Sequence, residues 1–282
     1  MNRRDFTKLL MSGAALSALP ATAILGQTAS GGLVALVNPE PATLSLPLNQ
    51  QNATGLVGSK IYEGLLDYDF DLTPRPLLAD SWEVSEDGLV YTFHLVQNAT
   101  WHDGEPFTAH DVVFSCAQML PETHPRARGA FARCESIEAL DDHTVRFTLR
   151  APFAAFLYAF ETTSAPMVPR HLYEGTDYRA NPANDTPIGT GPFRFAEWER
   201  GSHIHLLAYD GYYREGQPGL SEIYFQVIPD SASRAVALES GQAQFSSWGD
   251  IESFDVIRLG QDPNLVQTTQ GYEFASPISG SS

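Results

Sequence analysis

Along this chain the spacing of apolar residues switches between helical and strand periods, and each switch marks an element. Leu33 to Val37 is a short apolar run that predicts a buried strand. Asn38-Pro39-Glu40-Pro41-Ala42-Thr43 follows, and its prolines cannot donate to a ladder, so a loop leaves the strand here. Val57, Ile61 and Leu65 then stand at i, i+4 and i+8, which predicts a helix over 52–66. A strand, a loop and a helix in that order open an α/β layer.

The period changes to two after Trp82. Glu86-Asp87-Gly88 is a turn signal, and Leu89, Tyr91, Phe93 and Leu95 alternate with Val90, Thr92 and His94 as a strand with one apolar face. Trp101-His102-Asp103-Gly104 makes another turn. Thr108 then caps a helix, Asp111 completes a capping box, and Pro121 is expected to end it. Asp141-Asp142 turns the chain into a second alternating run through Val145, Phe147 and Leu149. Phe153, Phe156, Leu157 and Phe160 form a helical stripe that reads as core.

Residues 175–192 are a polar connection rich in Pro and Gly that ends in Pro187-Ile188-Gly189-Thr190-Gly191-Pro192. Strands are expected at Phe193–Trp198, His203–Tyr209 and Glu222–Ile228. A helix from Pro229-Asp230-Ser231 to Leu238, stopped by Gly241, and a buried strand at Ala243–Ser246 follow. The chain is thus αβ at both ends, with a mostly antiparallel insert between them. The expected division is an α/β core over 24–72 and 187–274 and an inserted subdomain over 73–186.

Charge and the N-terminus set the compartment. The 282 residues carry a formal net charge of -17, which repels phosphate backbones and anionic headgroups and excludes nucleic acid as a partner. Asn2-Arg3-Arg4-Asp5-Phe6-Thr7-Lys8 is basic, Leu9 to Leu19 is modestly apolar, and Ala21-Thr22-Ala23 offers a small-residue cleavage site. Residues 1–23 therefore read as a secretory signal of the twin-arginine type, leading to the periplasm. In that oxidising compartment Cys116 and Cys134 either form a disulfide or stay as unpaired buried thiols, and the sequence leaves both open.

Reactive centres are missing from the pattern. Gly55-Leu56-Val57-Gly58-Ser59-Lys60 lacks phosphate-loop spacing, and neither H-E-x-x-H nor G-x-S-x-G occurs. His102-Asp103 reads as a turn, with Asp103 stabilising it. His203 and His205 share a strand face without a third ligand nearby, so no metal and no cofactor is expected. An exported hydrolase is the competing reading, and it needs a nucleophile, metal or carboxylate pair. A non-functional remnant is a further alternative.

Longer motifs carry a resemblance. Ile61-Tyr62-Glu63-Gly64-Leu65-Leu66-Asp67-Tyr68 is followed by Pro76-Leu77-Leu78-Ala79-Asp80-Ser81-Trp82, by Asp87-Gly88-Leu89-Val90-Tyr91-Thr92-Phe93-His94-Leu95 and by Trp101-His102-Asp103-Gly104-Glu105-Pro106-Phe107-Thr108-Ala109-His110-Asp111-Val112-Val113. In this order, with Pro187-Ile188-Gly189-Thr190-Gly191-Pro192-Phe193, they resemble the family 5 extracellular solute-binding proteins of bacterial ABC importers, the dipeptide/oligopeptide-binding class. Val96 and Gln97 depart from it, standing where the family usually has a basic residue.

The resemblance implies a type II periplasmic binding protein-like α/β fold, here lobe I with its inserted subdomain. The second lobe is expected to be missing, residues 275–282 being a truncated start of it. It implies a monomer that encloses a peptide or related small solute between lobes, without catalysis, and delivers it to an ABC permease complex in the inner membrane. Relatives also take nickel chelates, haem, opines and sugars, and the acidic residue that pairs with a peptide amine lies in the other lobe. By the same analogy the cleft is lined from the first loop by Asn38, Glu40, Pro41 and Ala42, and from Ser246-Ser247-Trp248-Gly249 by Trp248 and Gly249. Trp248 either stacks on ligand or belongs to the core, and Glu40 either meets an ammonium group or is a solvated loop charge.

Overall fold

A computed structural model describes residues 31–247 and 249–268, which belong to one compact unit. The elements run β1 (Gly32–Val37), α1 (Asn52–Gly58), β2 (Leu66–Tyr68), β3 (Pro74–Pro76), β4 (Ala79–Val84), β5 (Val90–Leu95), α2 (Ala109–Phe114), α3 (Leu120–Thr123), α4 (Pro125–Phe131), β6 (Cys134–Asp141), β7 (Thr144–Leu149), α5 (Arg170–Tyr173), β8 (Phe193–Glu199), β9 (His203–Ala208), β10 (Glu222–Val227), α6 (Ser231–Glu239) and α7 (Ser253–Leu259). The proposed signal segment, residues 1–23, and the terminal stretch 275–282 lie outside the described residues.

Two four-stranded sheets organise the molecule. The first has the order β1-β10-β9-β8, with β1 parallel to β10 and the other pairs antiparallel. Its alternation buries Ala35, Val37, Ile204, Leu206, Ile223 and Phe225 against Ala53 and Val57 of α1. Leu36 points the other way and meets Ala237 of α6 and Ala243. Helices on both faces explain why β1 reads as an unbroken apolar run.

The second sheet, β4-β5-β7-β6, is antiparallel throughout. Tyr91, Phe93 and Leu95 on β5 and Val145, Phe147 and Leu149 on β7 alternate into one core. Phe156 and Phe160 are fully buried there, their rings 5.1 Å apart and each within 6 Å of Phe147. Edge-to-face aromatic packing of this kind adds attraction beyond area burial. Leu65 and Leu66 also sit in this core, so the chain enters the second sheet's packing before residue 73.

Three helices differ from their sequence pattern, the first being the Phe153–Phe160 stripe, which buries Phe156 and Phe160 but is helical only as a 3-10 turn over Leu157–Phe160. Val57, Ile61 and Leu65 are buried as the spacing requires, yet α1 stops at Gly58. The carbonyls of Lys60 and Ile61 accept instead from Phe193 and Gly191 (3.1 and 2.8 Å), so they have left the helical ladder for a tertiary one. The helix begun by α2 does start with a capping box, Thr108 N–H donating to Asp111 Oδ2 at 2.9 Å. It then runs past Pro121 to Thr123, because Ser115–Met119 widens into a π-turn that relieves the proline's clash with the preceding turn. Cys116 and Cys134 are free thiols in the second core. Burial pushes Cys116 well above the ordinary thiol range and Cys134 up to about 12, which suppresses thiolate chemistry.

The turn Trp101–Gly104 joins the two sheets. His102 N–H donates to Gly189 O (2.9 Å), and its ring bridges Gly191 O through Nε2 and Gly189 N–H through Nδ1 (2.9 and 3.3 Å). Burial drives this imidazole down to about 4, so it is neutral and Nε2 is the donor. Asp103 accepts from the Glu105 amide at 3.3 Å within the turn and contacts His171 Nε2 at 2.8 Å. The pair therefore latches loops together and is not arranged as a base with its orienting carboxylate.

Candidate functional site

Three extended segments run parallel and end at one edge of the first sheet. β1 pairs with β10 from Gly32↔Glu222 to Val37↔Val227. On its other side Leu36 N–H donates to Phe245 O and Gln244 N–H to Val34 O, both at 2.8 Å, in a parallel bridge. The expected strand Ala243–Ser246 is reduced to this bridge, and Phe245 is 43% exposed. The loops after these segments, 38–43, 228–230 and 246–250, therefore gather at the carboxyl ends of parallel strands. In open α/β sheets that is where ligands bind, because backbone polar groups and loop side chains converge there.

Asp250 ties the edge together. It is 1% exposed, and Oδ2 accepts from the amide and the hydroxyl of Ser247, both at 3.0 Å. Burial raises its pKa, opposed by Ser247, by Arg234 and by a hydrogen bond from the Asn38 backbone. Arg234, 4% exposed on α6, donates to Asp250 O (2.5 Å), Ile228 O (2.8 Å) and Pro229 O (2.7 Å). One guanidinium thus spans two of the three loops, and the Asp250 carboxylate reaches the third. α6 itself starts at Asp230, whose carboxylate caps Ser233 N–H at 2.7 Å.

The sequence-predicted residues fall into place unevenly. Asn38, which joins a cis peptide to Pro39, is half-buried beside Asp250. Glu40 is directed elsewhere: its carboxylate accepts from Trp198 Nε1 (2.8 Å) and the Gly201 amide (3.1 Å). Arg200 lies over the Trp198 ring at 3.3 Å and points its guanidinium at Pro41 O and Ala42 O. Glu40, Pro41 and Ala42 are thereby clamped to the β8–β9 turn, with the half-buried Glu40 carboxylate oriented by two neutral donors. Gly249 sits in the edge loop at φ +86, with open space where a Cβ would be. Trp248 lies outside the described residues.

Sequence reasoning missed Arg234 and Asp250. The available signal was an arginine inside the otherwise small and apolar run Ala232–Leu238, where a charge needs a buried partner. Among the described residues, no cluster of three or more His, Cys, Asp or Glu could hold a metal. The edge offers hydrogen-bonding backbone and hydroxyls, which suits holding a polar solute.

Replacing Asp250 with alanine leaves the Asn38 and Ser247 donors without their acceptor. The expected loss is about 2 kcal/mol, since orphaning buried polar groups costs more than the bonds contribute. Chemical denaturation should show this loss, and amide hydrogen exchange at Asn38 and Ser247 should speed up. An unchanged exchange rate at both would mean the loops are held by something else.

The fold and this strand-end edge define a solute-binding lobe of the periplasmic type. The family model of bacterial extracellular solute-binding proteins, family 5 (Middle), matches residues 73–277, and the chain belongs to that family. It is 34% identical over 212 residues to the glutathione-binding protein GsiB of Pectobacterium atrosepticum, covering 74% of this chain and 40% of that protein. With the oligopeptide-binding protein AppA of Bacillus subtilis it is 31% identical over 272 residues, 93% of this chain and 50% of the relative. Solved structures similar to it include AgaA of A. tumefaciens R10 in complex with agropinic acid (32% identity, TM-score 0.75, 83% of this chain, 46% of that one). Another is DppA of Helicobacter pylori in complex with the peptide STSA (28%, TM-score 0.72, 84% and 50%). The chain spans between two fifths and half the length of these relatives.

Proposed function

We propose that this chain supplies one wall of the ligand cleft in an extracytoplasmic solute-binding protein of an ABC importer. The ligand class is a peptide or related small polar solute, held by enclosure and released unchanged. The carrying observation is the convergence of loops 38–43, 228–230 and 246–250 at parallel strand ends, braced by Arg234 and Asp250. Relatives named for binding glutathione and oligopeptides support the ligand class. On this reading the protein works as a monomer in the periplasm, reached by the twin-arginine route through residues 1–23, and its partner is a membrane permease complex. Trp248 and Gly249 would face the solute.

Proteins of this design trap ligand by hinge closure of two lobes, and most ligand surface is buried only then. A single wall leaves the solute half solvated. Calorimetric titration of this chain with tri- and tetrapeptides should accordingly give dissociation constants weaker than about 10 μM, since half the contact area forfeits several kcal/mol. Gly249→Val should weaken binding further. Submicromolar binding by this chain, or turnover of a peptide or ester, would overturn enclosure as the mechanism.

A further inference from the structure

A cleft of about 330 Å³ opens on the inserted subdomain, between α4 and the segment after β7. It shares no residue with the strand-end edge. Arg126, Gly129 and Arg133 line one side, and Phe153, Tyr158 and Ser164 line the other. Its volume is at the lower end of small-molecule sites.

The guanidinium groups are the informative feature. The protein has 34 acidic side chains against 17 basic ones, so two arginines at one opening make a local cationic spot on an acidic chain. Neighbouring arginines are occupied: Arg128 donates to Pro121 O and Glu122 O, Arg150 to Ala132 O, and Arg146 pairs with Glu138. Among the described residues Arg126 and Arg133 have neither carboxylate nor carbonyl. Arg133 instead has its guanidinium carbon over the Phe153 ring, 4.1 Å from the centroid. A cation over an aromatic face is attracted by the ring's quadrupole without using its N–H donors. Both arginines line the same cleft, so two cations border one opening.

The floor and far wall complete the selectivity. Gly129 has nothing within 4 Å of the place a Cβ would take, so the absent side chain leaves the cleft open. Tyr158 is 41% exposed, and the acid beside it, Glu161, is occupied by the amide and hydroxyl of Thr163 (2.8 and 2.7 Å). A ring can lie against Tyr158 while a carboxylate meets the two arginines, whose positive charges exceed the single negative charge of Glu161 on the far wall. We infer that this cleft binds small aromatic carboxylates, at a site separate from the solute-binding edge.

The probes are 4-hydroxybenzoate, its neutral amide 4-hydroxybenzamide, and inorganic phosphate, titrated into the whole chain and followed by amide chemical shifts. The benzoate should bind with a dissociation constant near about 1 mM, as expected for one charge-assisted contact and one stacked ring at an open surface. Shifts should centre on Gly129, Ala130 and Ser164. The amide and phosphate should each bind at least about tenfold more weakly, lacking charge or ring respectively. Arg126→Gln combined with Arg133→Gln should abolish the preference for the acid over the amide. Gly129→Leu, which fills the floor and keeps both guanidiniums, should abolish binding of acid and amide alike. Equal binding of acid and amide, phosphate matching the benzoate, shifts centred elsewhere, or either variant binding like the parent would overturn the assignment. So would an absence of shifts at about 20 mM benzoate, well above the expected constant.

Discussion

Gly189→Ala is expected to cost more than about 4 kcal/mol and to lower the melting temperature by about 10 °C or more. A Cβ at Gly189 would lie 1.9 Å from Ile61 O and 2.6 Å from Ile61 C, and both are backbone atoms that no rotamer change can move. Gly191 repeats the constraint against Lys60 O at 2.6 Å. Relief would require breaking the bonds from Gly191 and Phe193 to the Ile61 and Lys60 carbonyls, which seat the first sheet against the helix after β1. Gly129→Ala is the matched control: its Cβ enters open space within α4, and alanine should add about 0.5–1 kcal/mol through helix propensity. Thermal melts followed by circular dichroism compare the two. A Gly189→Ala protein melting within about 2 °C of the parent would show that the contact yields easily.

Glu63→Gln should remove a large pH dependence of stability. Glu63 is 3% exposed, and Oε1 accepts from the hydroxyls of Tyr212 (2.7 Å) and Tyr213 (3.3 Å). Burial raises its carboxyl from 4.5 to about 7, opposed by Tyr212, Thr190, Arg214 and Tyr213. The folded state therefore holds this proton at pH values where the unfolded chain has released it. Stability falls as pH rises from about 4.5 to 7 and levels off above, a total on the order of 3 kcal/mol at about 1.4 kcal/mol per unit. His102 and His124, both pushed down to about 4 by burial, act in the opposite sense. They are protonated first in the unfolded chain, so their share of stability is lost as pH falls from about 6.5 towards 4. The difference between Glu63→Gln and the parent cancels the histidines and isolates the glutamate. Denaturation midpoints at pH 5 and pH 8 should favour the variant at the higher pH, since the amide oxygen still accepts from both tyrosines. Parallel curves for the two proteins would refute the assignment.

Glu63 and Gly189 both lie in motifs that carried the family resemblance, and the structure supplies a physical reason for each. In Tyr62-Glu63-Gly64-Leu65, Gly64 is required because a Cβ would come within 2.2 Å of Phe160 O. Glu63 meanwhile anchors the Tyr212–Tyr213 turn from across the sheet junction. In Pro187-Ile188-Gly189-Thr190-Gly191-Pro192, glycines let one backbone lie directly on another. The strands, the hairpin turns and the aromatic stripe Phe153–Phe160 were readable because their period is local. Glu40 was not: its role depends on Trp198 and Gly201, more than 150 residues away. Arg234 stood out as a charge in an apolar run, but its acceptors, the carbonyls of Ile228, Pro229 and Asp250, are backbone groups that no sequence pattern marks.

The sequence by itself determined the order of elements, the two apolar faces that became separate cores, and the family. These follow from periodicity and turn chemistry, which a residue expresses through its near neighbours. Only the tertiary structure decided where α1 ends, how the helix passes Pro121, and which charges are spent on holding loops. Those outcomes depend on competition for backbone hydrogen bonds and on burial. Both are set by segments that meet only after the chain has folded.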